Sequence, residues 1–271
     1  MATYEECLRR NPRDALAYYS LSIIFVSTGT VKDGNLANVD VALRHLDGAL
    51  AVQPFASALV QKASVQAAWK GDLLAARATL DRLAELLLAE RTDDRTIYFL
   101  MWIALLEQNP QRALLASTLT TITYFEDNVV AEPVAWMKAL AHQMAGRNNF
   151  AEEEWRAAEA VVRDRLQASP NSLTTQAELA VTLARLGRKE EAAQQFARYE
   201  ATMREARRGV TPLHAHCYTA MGEVTKAVQV LAQARKNMAN WATDHTLPRD
   251  PRWAALHGTP EFEALLAEAK K

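Results

Sequence analysis

The chain has 271 residues, of which 49% are apolar and 23% are charged, so it can bury a large core and is not a disordered polypeptide. Its formal net charge is -1, with 31 basic and 32 acidic residues interspersed, which disfavours nonspecific binding to nucleic acid or to an anionic membrane. The two cysteines, Cys7 and Cys217, are far apart in sequence and indicate neither a disulfide framework nor a zinc site.

The N-terminal segment and the most apolar run both argue against membrane insertion. Residues 1–12 are charged from the start and lack the apolar core of a signal peptide. The most apolar run, from Tyr18 to Val26, is shorter than the about 20 apolar residues that a membrane-spanning helix needs. With two lone thiols, these features predict a cytoplasmic protein.

Helices are predicted to follow one another in pairs along the chain. Glycine and proline occur only nine times each, and no segment alternates apolar and polar residues over the length of a strand. The six predicted pairs are 13–28 with 38–52, 55–70 with 72–90, 93–107 with 110–124, 133–145 with 148–168, 171–186 with 188–208, and 211–221 with 223–240. A loop over 125–132 separates the third pair from the fourth.

Five glycines carry the same neighbours at the same offsets, which indicates an internal repeat. They are Gly29, Gly71, Gly146, Gly187 and Gly222. A Ser or Ala lies seven residues before each of them. An alanine lies five residues after the last four, at Ala76, Ala151, Ala192 and Ala227. Because small residues on both sides of a turn glycine let two helices approach closely, the repeat predicts stacked helical hairpins.

These residues resemble the tetratricopeptide repeat (TPR) family, whose unit is a helical hairpin of about 34 residues. The family's large–small pair is matched at Leu21-Ser22 and Leu179-Ala180, and the proline that closes a unit is matched by Pro54. The resemblance covers about 13–240 and implies an all-α fold, a right-handed superhelix of about six hairpins. The third unit has no marker glycine and carries Gln108-Asn109-Pro110 at its turn, so its register stays open.

Both ends of the chain carry further information. Residues 2–12 look like the second half of a preceding unit. Residues 247–271 are similar to a segment that ends many bacterial repeat arrays, which often follow a kinase, cyclase or winged-helix domain. We therefore divide the chain into a repeat array over 1–246 and a capping segment over 247–271. The last helix is apolar at Phe262, Leu265, Leu266 and Ala269, and these residues are expected to cover the open end of the array.

No constellation of residues in the sequence predicts catalysis, a cofactor or a metal site. Phosphate-binding glycine loops, the HExxH motif and the GxSxG motif are all absent. His214, His216 and Cys217 form the one metal-like cluster. Because helical neighbours two positions apart point about 200° apart, the two histidines are not expected to share an ion.

The family resemblance implies that the first helix of each hairpin lines the concave face of the superhelix. Positions ten and six before the marker glycine are aromatic or aliphatic, unlike the Lys, Arg and Asn of family members that clamp a terminal carboxylate. The resulting groove residues are Tyr19, Ile23, Gln61, Val65, Tyr98, Trp102, Trp136, Leu140 and Val181. Such a groove suits an amphipathic helix or an apolar extended segment. If it is open, replacing Tyr98, Trp102 and Trp136 by Ala should abolish partner capture with little change in thermal stability.

The sequence leaves more than one function open. The leading hypothesis is a non-catalytic module that binds a peptide or partner protein in an apolar concave groove. The alternative is a regulatory or sensor domain of a larger bacterial signalling enzyme, such as a Ser/Thr protein kinase. An independent enzyme would need a cavity with convergent polar groups, which the sequence does not reveal. Self-association through exposed terminal repeats is a further expectation.

Overall fold

A computed structural model describes residues 2–26, 37–87, 94–126, 131–205, 209–237 and 240–268. Their regular structure is almost entirely helical. The helices are α1 (Ala2–Arg10), α2 (Ala15–Val26), α3 (Ala37–Val52), α4 (Ala56–Val65), α5 (Leu73–Leu87), α6 (Asp94–Leu106), α7 (Pro110–Ser117), α8 (Val134–Met144), α9 (Asn148–Ala168), α10 (Leu173–Arg185), α11 (Lys189–Glu205), α12 (Pro212–Met221), α13 (Val224–Lys236) and α14 (Pro260–Glu268). A π-helical turn, Gln66–Lys70, extends α4, and two short 3₁₀ helices, Asn240–Ala242 and Pro251–Leu256, precede α14.

The helices pack as hairpins that stack in chain order. Helix α2 packs on α3, α4 on α5, α6 on α7, α8 on α9, α10 on α11 and α12 on α13. Neighbouring hairpins are joined through contacts of α3 with α4, α4 with α6, α7 with α8, α9 with α10, and α10 with α12. Because each hairpin buries its apolar face mainly against its neighbours in sequence, the molecule is an all-α solenoid, as the repeat predicts.

The turn residues confirm the repeat and fix the register of the third unit. Gly71, Gly146, Gly187 and Gly222 all have positive φ, between 65° and 83°. Gln108 adopts the same left-handed conformation, with φ 57°, and is the one non-glycine residue of the described ranges to do so. Gln108 therefore stands where the other hairpins have glycine, and Ala113, five residues later, is fully buried as the pattern requires. Gly29 lies outside the described residues.

The prediction was wrong at the end of the third hairpin. Helix α7 ends at Ser117 rather than continuing to 124, and the following segment, 118–123, is rich in β-branched Thr and Ile, which lowers its helix propensity. The chain then forms β1 (Tyr124–Glu126), which pairs antiparallel with β2 (Ala131–Pro133). The ends of the predicted loop at 125–132 are therefore short strands, while residues 127–130 lie outside the described part.

Each end of the array is covered by a further helix. At the N-terminus, α1 packs on α2. At the other end, Phe262 and Leu265 of α14 are buried against α13 beside Leu231, and Arg235 Nη1 donates a hydrogen bond to the Leu265 carbonyl at 2.8 Å. Ala269, the last residue of the predicted apolar face, lies outside the described residues. None of the helices in the described ranges is both long and apolar enough to cross a membrane.

Candidate functional site

The segment between α13 and α14 crosses back over the array. We call residues 240–256 the tail. Thr243 Oγ1 donates a hydrogen bond to the Ala68 carbonyl at 2.6 Å, and Gln108 Nε2 donates to the Arg249 carbonyl at 2.7 Å. Arg185 Nη2 donates to the Arg252 carbonyl at 3.0 Å. The tail is thus hydrogen-bonded to the second, third and fifth hairpins. Nothing in the sequence repeat predicts that the chain takes this path.

Trp253 of the tail packs on the inner face of the later hairpins, which is the face formed by the first helix of each hairpin. Trp253 is 0% exposed and lies edge-on to His216 of α12, with ring centroids 6.2 Å apart. His216 in turn meets Trp136 of α8 at 5.2 Å. Burial holds the pKa of His216 well below its usual value, so this imidazole is neutral at pH 7. His214 faces the other way, toward Tyr199 and Thr211, so the two histidines diverge as helix geometry demands.

Most of the predicted groove residues are therefore inside the protein. Trp136 donates through Nε1 to Thr182 Oγ1 at 3.0 Å, and Val65, Leu140 and Val181 are buried in the same core as Trp102. Tyr98, Trp102 and Trp136 are 8%, 6% and 2% exposed. Because truncating a buried aromatic side chain costs about 3–5 kcal/mol, alanine at these three positions should lower stability, contrary to the expectation of little change.

The predicted groove residues that stay partly exposed belong to the first two hairpins. Ile23 of α2 is 37% exposed, and Tyr19 and Gln61 are half-buried. Arg95 at the start of α6 bridges these last two side chains, donating to Tyr19 Oη at 3.4 Å and to Gln61 Oε1 at 3.2 Å. The repeat positions thus share one face, but the tail leaves only part of it open.

A cavity of about 510 Å³ lies where the third hairpin, β2, the fifth hairpin and the tail meet. Two of the predicted groove residues, Tyr98 and Trp102, belong to its wall. The lining also includes Phe99, Ala131, Glu132, Leu173, Thr174, Tyr199, Met203, Gly209, Val210, Thr211, Pro212, Leu213, Trp241 and Arg252. Ala131, Thr174 and Val210 are exposed, so the cavity opens to solvent on their side.

Several residues of the cavity wall are aromatic. On α6, Tyr98 and Phe99 pack edge to face at 5.3 Å, and Phe99 and Trp102 pack edge to face at 5.9 Å. Tyr199 Oη on α11 is fixed by Thr211 Oγ1 at 2.9 Å. Because these rings are held by packing and hydrogen bonds, the wall presents fixed aromatic surfaces to an incoming group.

Three charged side chains are associated with the cavity. Arg252 and Asp250 of the tail form a buried salt bridge, in which Arg252 Nε lies 2.9 Å from one carboxylate oxygen of Asp250 and 3.0 Å from the other. Burial opposes the charge of Arg252, but Asp250 more than compensates, so the pKa of the guanidinium is raised and it stays ionised. Glu132 of β2 has no salt bridge in the described part of the chain. Burial raises its pKa to about 7, against the opposing field of Arg252.

A fully buried carboxyl group, that of Glu178, lies close enough to Glu132 for their charges to interact. Glu178 of α10 is fully buried and accepts a hydrogen bond from Tyr124 Oη at 2.6 Å, while its Oε2 has no partner among the described residues. Burial is the main cause that raises the pKa of Glu178 to about 8, and the charge of Glu132 adds to it. Glu178 is therefore largely protonated at pH 7, and Glu132 is close to half ionised.

The repeat positions identified Tyr98 and Trp102 on α6 but not the charged residues of the cavity wall. Phe99 lies one residue outside the position used to select groove residues, and Tyr199 and Met203 come from a second helix, where no groove residue was expected. Glu132 lies on β2, in the segment that the sequence predicts as a loop, and Arg252 lies in the tail. Neither segment carries the repeat pattern. Only the Asp-Pro-Arg-Trp run of the tail offered a signal, since Asp and Arg two residues apart around a proline suit a local ion pair.

No protein-family profile matches the chain, and no curated protein matches it. Among solved structures it is similar to yeast Tom70, with 15% sequence identity and a TM-score of 0.30. The match covers 99% of this chain and 64% of the Tom70 chain, so the chain spans less than two thirds of that protein. At this identity and TM-score the likeness carries no argument about function, and the fold rests on the hairpins themselves.

Proposed function

We propose that this protein is a non-catalytic protein-interaction module. The observation that carries the proposal is the aromatic cavity of about 510 Å³ on the inner face of the array, with Tyr98 and Trp102 in its wall. Its size is within the range of about 300–1,000 Å³ that ligand pockets occupy. We propose that it receives side chains from a short segment of a partner protein.

The shape of the site supports a partner chain as its occupant. The exposed side of the cavity is formed by Ala131, Thr174 and Val210, so a polypeptide can insert one part and continue across the surface. Fixed aromatic rings supply large contact areas at little entropic cost, which is why they dominate binding energies at protein interfaces. The two free thiols, Cys7 and Cys217, fit the reducing environment of the cytoplasm, which we propose as the location.

The proposal is tested by closing the cavity without disturbing the core. Thr174→Trp places an indole at the mouth from an exposed position in the first turn of α10, whereas Gln194→Trp adds the same group at an exposed site on α11 that does not line the cavity. Proteins captured from cell extract by each variant are quantified by mass spectrometry. We expect Thr174→Trp to lose at least tenfold of a protein that wild type and Gln194→Trp both retain.

The same two variants also provide the control for folding. Both should keep the wild-type circular dichroism spectrum and melting temperature within about 2 °C, since both substitutions are at exposed positions. If Thr174→Trp and Gln194→Trp capture the same proteins in the same amounts, the cavity is not the binding site and the proposal fails.

A further inference from the structure

Among the charged groups around the cavity, Glu132 forms no salt bridge with any described residue. Asp250 is paired with the guanidinium of Arg252 through Nε, and a second buried guanidinium, that of Arg185, lies close enough to interact with the same carboxylate. Glu178 does not line the cavity, and because its pKa is raised to about 8 it carries little negative charge at pH 7. Glu132 is the acidic group that lines the cavity itself, and no basic side chain of the described residues forms an ion pair with it.

We propose that the cavity recognises a positively charged ammonium group, that of a lysine side chain on the partner segment, with Glu132 as its counter-ion and the rings of Tyr98, Phe99 and Trp102 around its methylene stem. This inference rests on the proposed function, because it names the chemistry of the segment that the cavity receives. An ammonium group is attracted both by a carboxylate and by the faces of aromatic rings, and both attractions strengthen away from water. A lysine stem of four methylenes also suits an apolar wall.

The partly buried setting of Glu132 makes this recognition dependent on pH. The carboxyl is held near half ionisation at pH 7 because burial raises its pKa to about 7. The groups that face it are Arg252 and Asp250 of the tail and Glu178 of α10, which lies beside the ion pair of Arg165 with Glu126. A bound cation favours the ionised carboxylate and therefore releases a proton. Since a lysine ammonium stays charged up to about pH 10, affinity should rise with pH.

Two model compounds measure how much the ammonium group contributes to binding. Nα-acetyl-lysine methylamide and Nα-acetyl-norleucine methylamide have stems of the same length, and only the first carries the charge. Binding is followed by NMR at the indole N–H of Trp102, which lines the cavity, with Trp155, which does not line it, as an internal reference. At pH 8 we expect the lysine compound to bind at least tenfold more tightly than the norleucine compound. Between pH 6 and pH 8 its affinity should rise about tenfold, as Glu132 ionises.

A matched pair of variants assigns the effect to one carboxylate. Glu132→Gln removes the charge inside the cavity, and Glu126→Gln removes a charge from the same β-hairpin, where Glu126 is exposed and paired with Arg165 at 2.9 Å. Glu132→Gln should abolish both the preference for lysine and its pH dependence, whereas Glu126→Gln should keep both.

The outcomes separate this inference from the proposed function. Equal binding of the two compounds at pH 8, tighter binding of norleucine, or no shift of Trp102 with either compound at about 20 mM overturns lysine recognition. The proposed function survives each of these results if Thr174→Trp still loses its partner. A lysine preference that Glu132→Gln leaves intact also overturns the inference, because the counter-ion would then be another group.

Discussion

The inner faces of the first and last hairpins carry equivalent repeat positions but have opposite surroundings. Ile23 lies six residues before its marker glycine on α2 and is 37% exposed. His216 lies six residues before Gly222 on α12, yet it is buried between Trp136 and Trp253. The difference comes from the tail, which crosses the later hairpins and stops short of the first. A repeat position therefore determines which way a side chain points, and the rest of the chain determines whether it meets solvent.

The largest expected effect on stability comes from removing the indole ring of Trp253, which is buried against the later hairpins. Trp253→Ala deletes a fully buried indole between His216 and Trp241, so we expect a loss of about 3–5 kcal/mol in unfolding free energy and a fall of roughly 10 °C in melting temperature. Ile23→Ala at the equivalent open face should cost less than about 1 kcal/mol. Thermal denaturation followed by circular dichroism measures both, and similar costs for the two variants would show that the tail does not pack as described.

The buried carboxyl group of Glu178 on α10 predicts a second difference, in how stability depends on pH. The pKa of Glu178 is about 8 in the folded protein, above the ordinary value of about 4.3, so the folded state holds this proton more tightly than the unfolded state. The resulting stability is complete below about pH 4 and is lost as pH rises through about 8.

Glu178→Gln removes this titration while keeping an acceptor for Tyr124. We expect the variant to be more stable than wild type at pH 8 by roughly 2–4 kcal/mol and to differ much less at pH 5. Urea denaturation at both pH values measures the difference, and the exposed Glu126→Gln serves as the control. A variant that destabilises the protein equally at both pH values would show that the Glu178 carboxyl is ionised in the native state.

Two turn glycines offer a matched test of where the tail touches the array. A β-carbon at Gly71 would lie 2.4 Å from Nδ1 of His245 in the tail, whereas one at Gly146 would meet nothing within 4 Å. Both have positive φ, 65° and 70°, so Ala should cost about 1 kcal/mol at each from backbone strain alone. We expect Gly71→Ala to cost roughly 1–2 kcal/mol more than Gly146→Ala, because the imidazole must move.

The extra cost at Gly71 should vanish when the imidazole is removed. In the His245→Ala background, Gly71→Ala and Gly146→Ala are expected to destabilise the protein equally, which a double-mutant cycle of unfolding free energies measures. An extra cost that persists without His245 would place the strain in the turn and not in the tail contact.

The smallest predicted effect concerns one buried hydroxyl group of the tail, that of Thr243. Thr243→Val removes a buried hydroxyl that donates to the Ala68 carbonyl at 2.6 Å and accepts from the backbone N–H of Thr246 at 3.1 Å, and should cost about 1–2 kcal/mol. Thr202→Val removes an exposed hydroxyl bonded within its own helix and should be nearly neutral. Hydrogen exchange of amides in residues 240–256 should accelerate only in Thr243→Val. Equal exchange in both variants would mean that this bond does not hold the tail in place.

The sequence by itself determined the hairpins, because helix periodicity, turn glycines and small residues at close contacts are local and repeat at fixed spacing. It also determined the closing helix, whose apolar residues Phe262 and Leu265 now pack on α13. Even the third unit follows the rule, with Gln108 in the left-handed conformation of the missing glycine.

Only the tertiary structure decided which residues of the inner face are buried and what they contact. The course of the tail depends on contacts between residues far apart in sequence, such as Thr243 with Ala68 and Gln108 with Arg249, and no spacing pattern records these contacts. The cavity likewise combines a helix, a strand, a loop and the tail, and the pKa of Glu132 follows from their joint exclusion of water. Local patterns specify helices and their faces, whereas burial is a property of the whole packed chain.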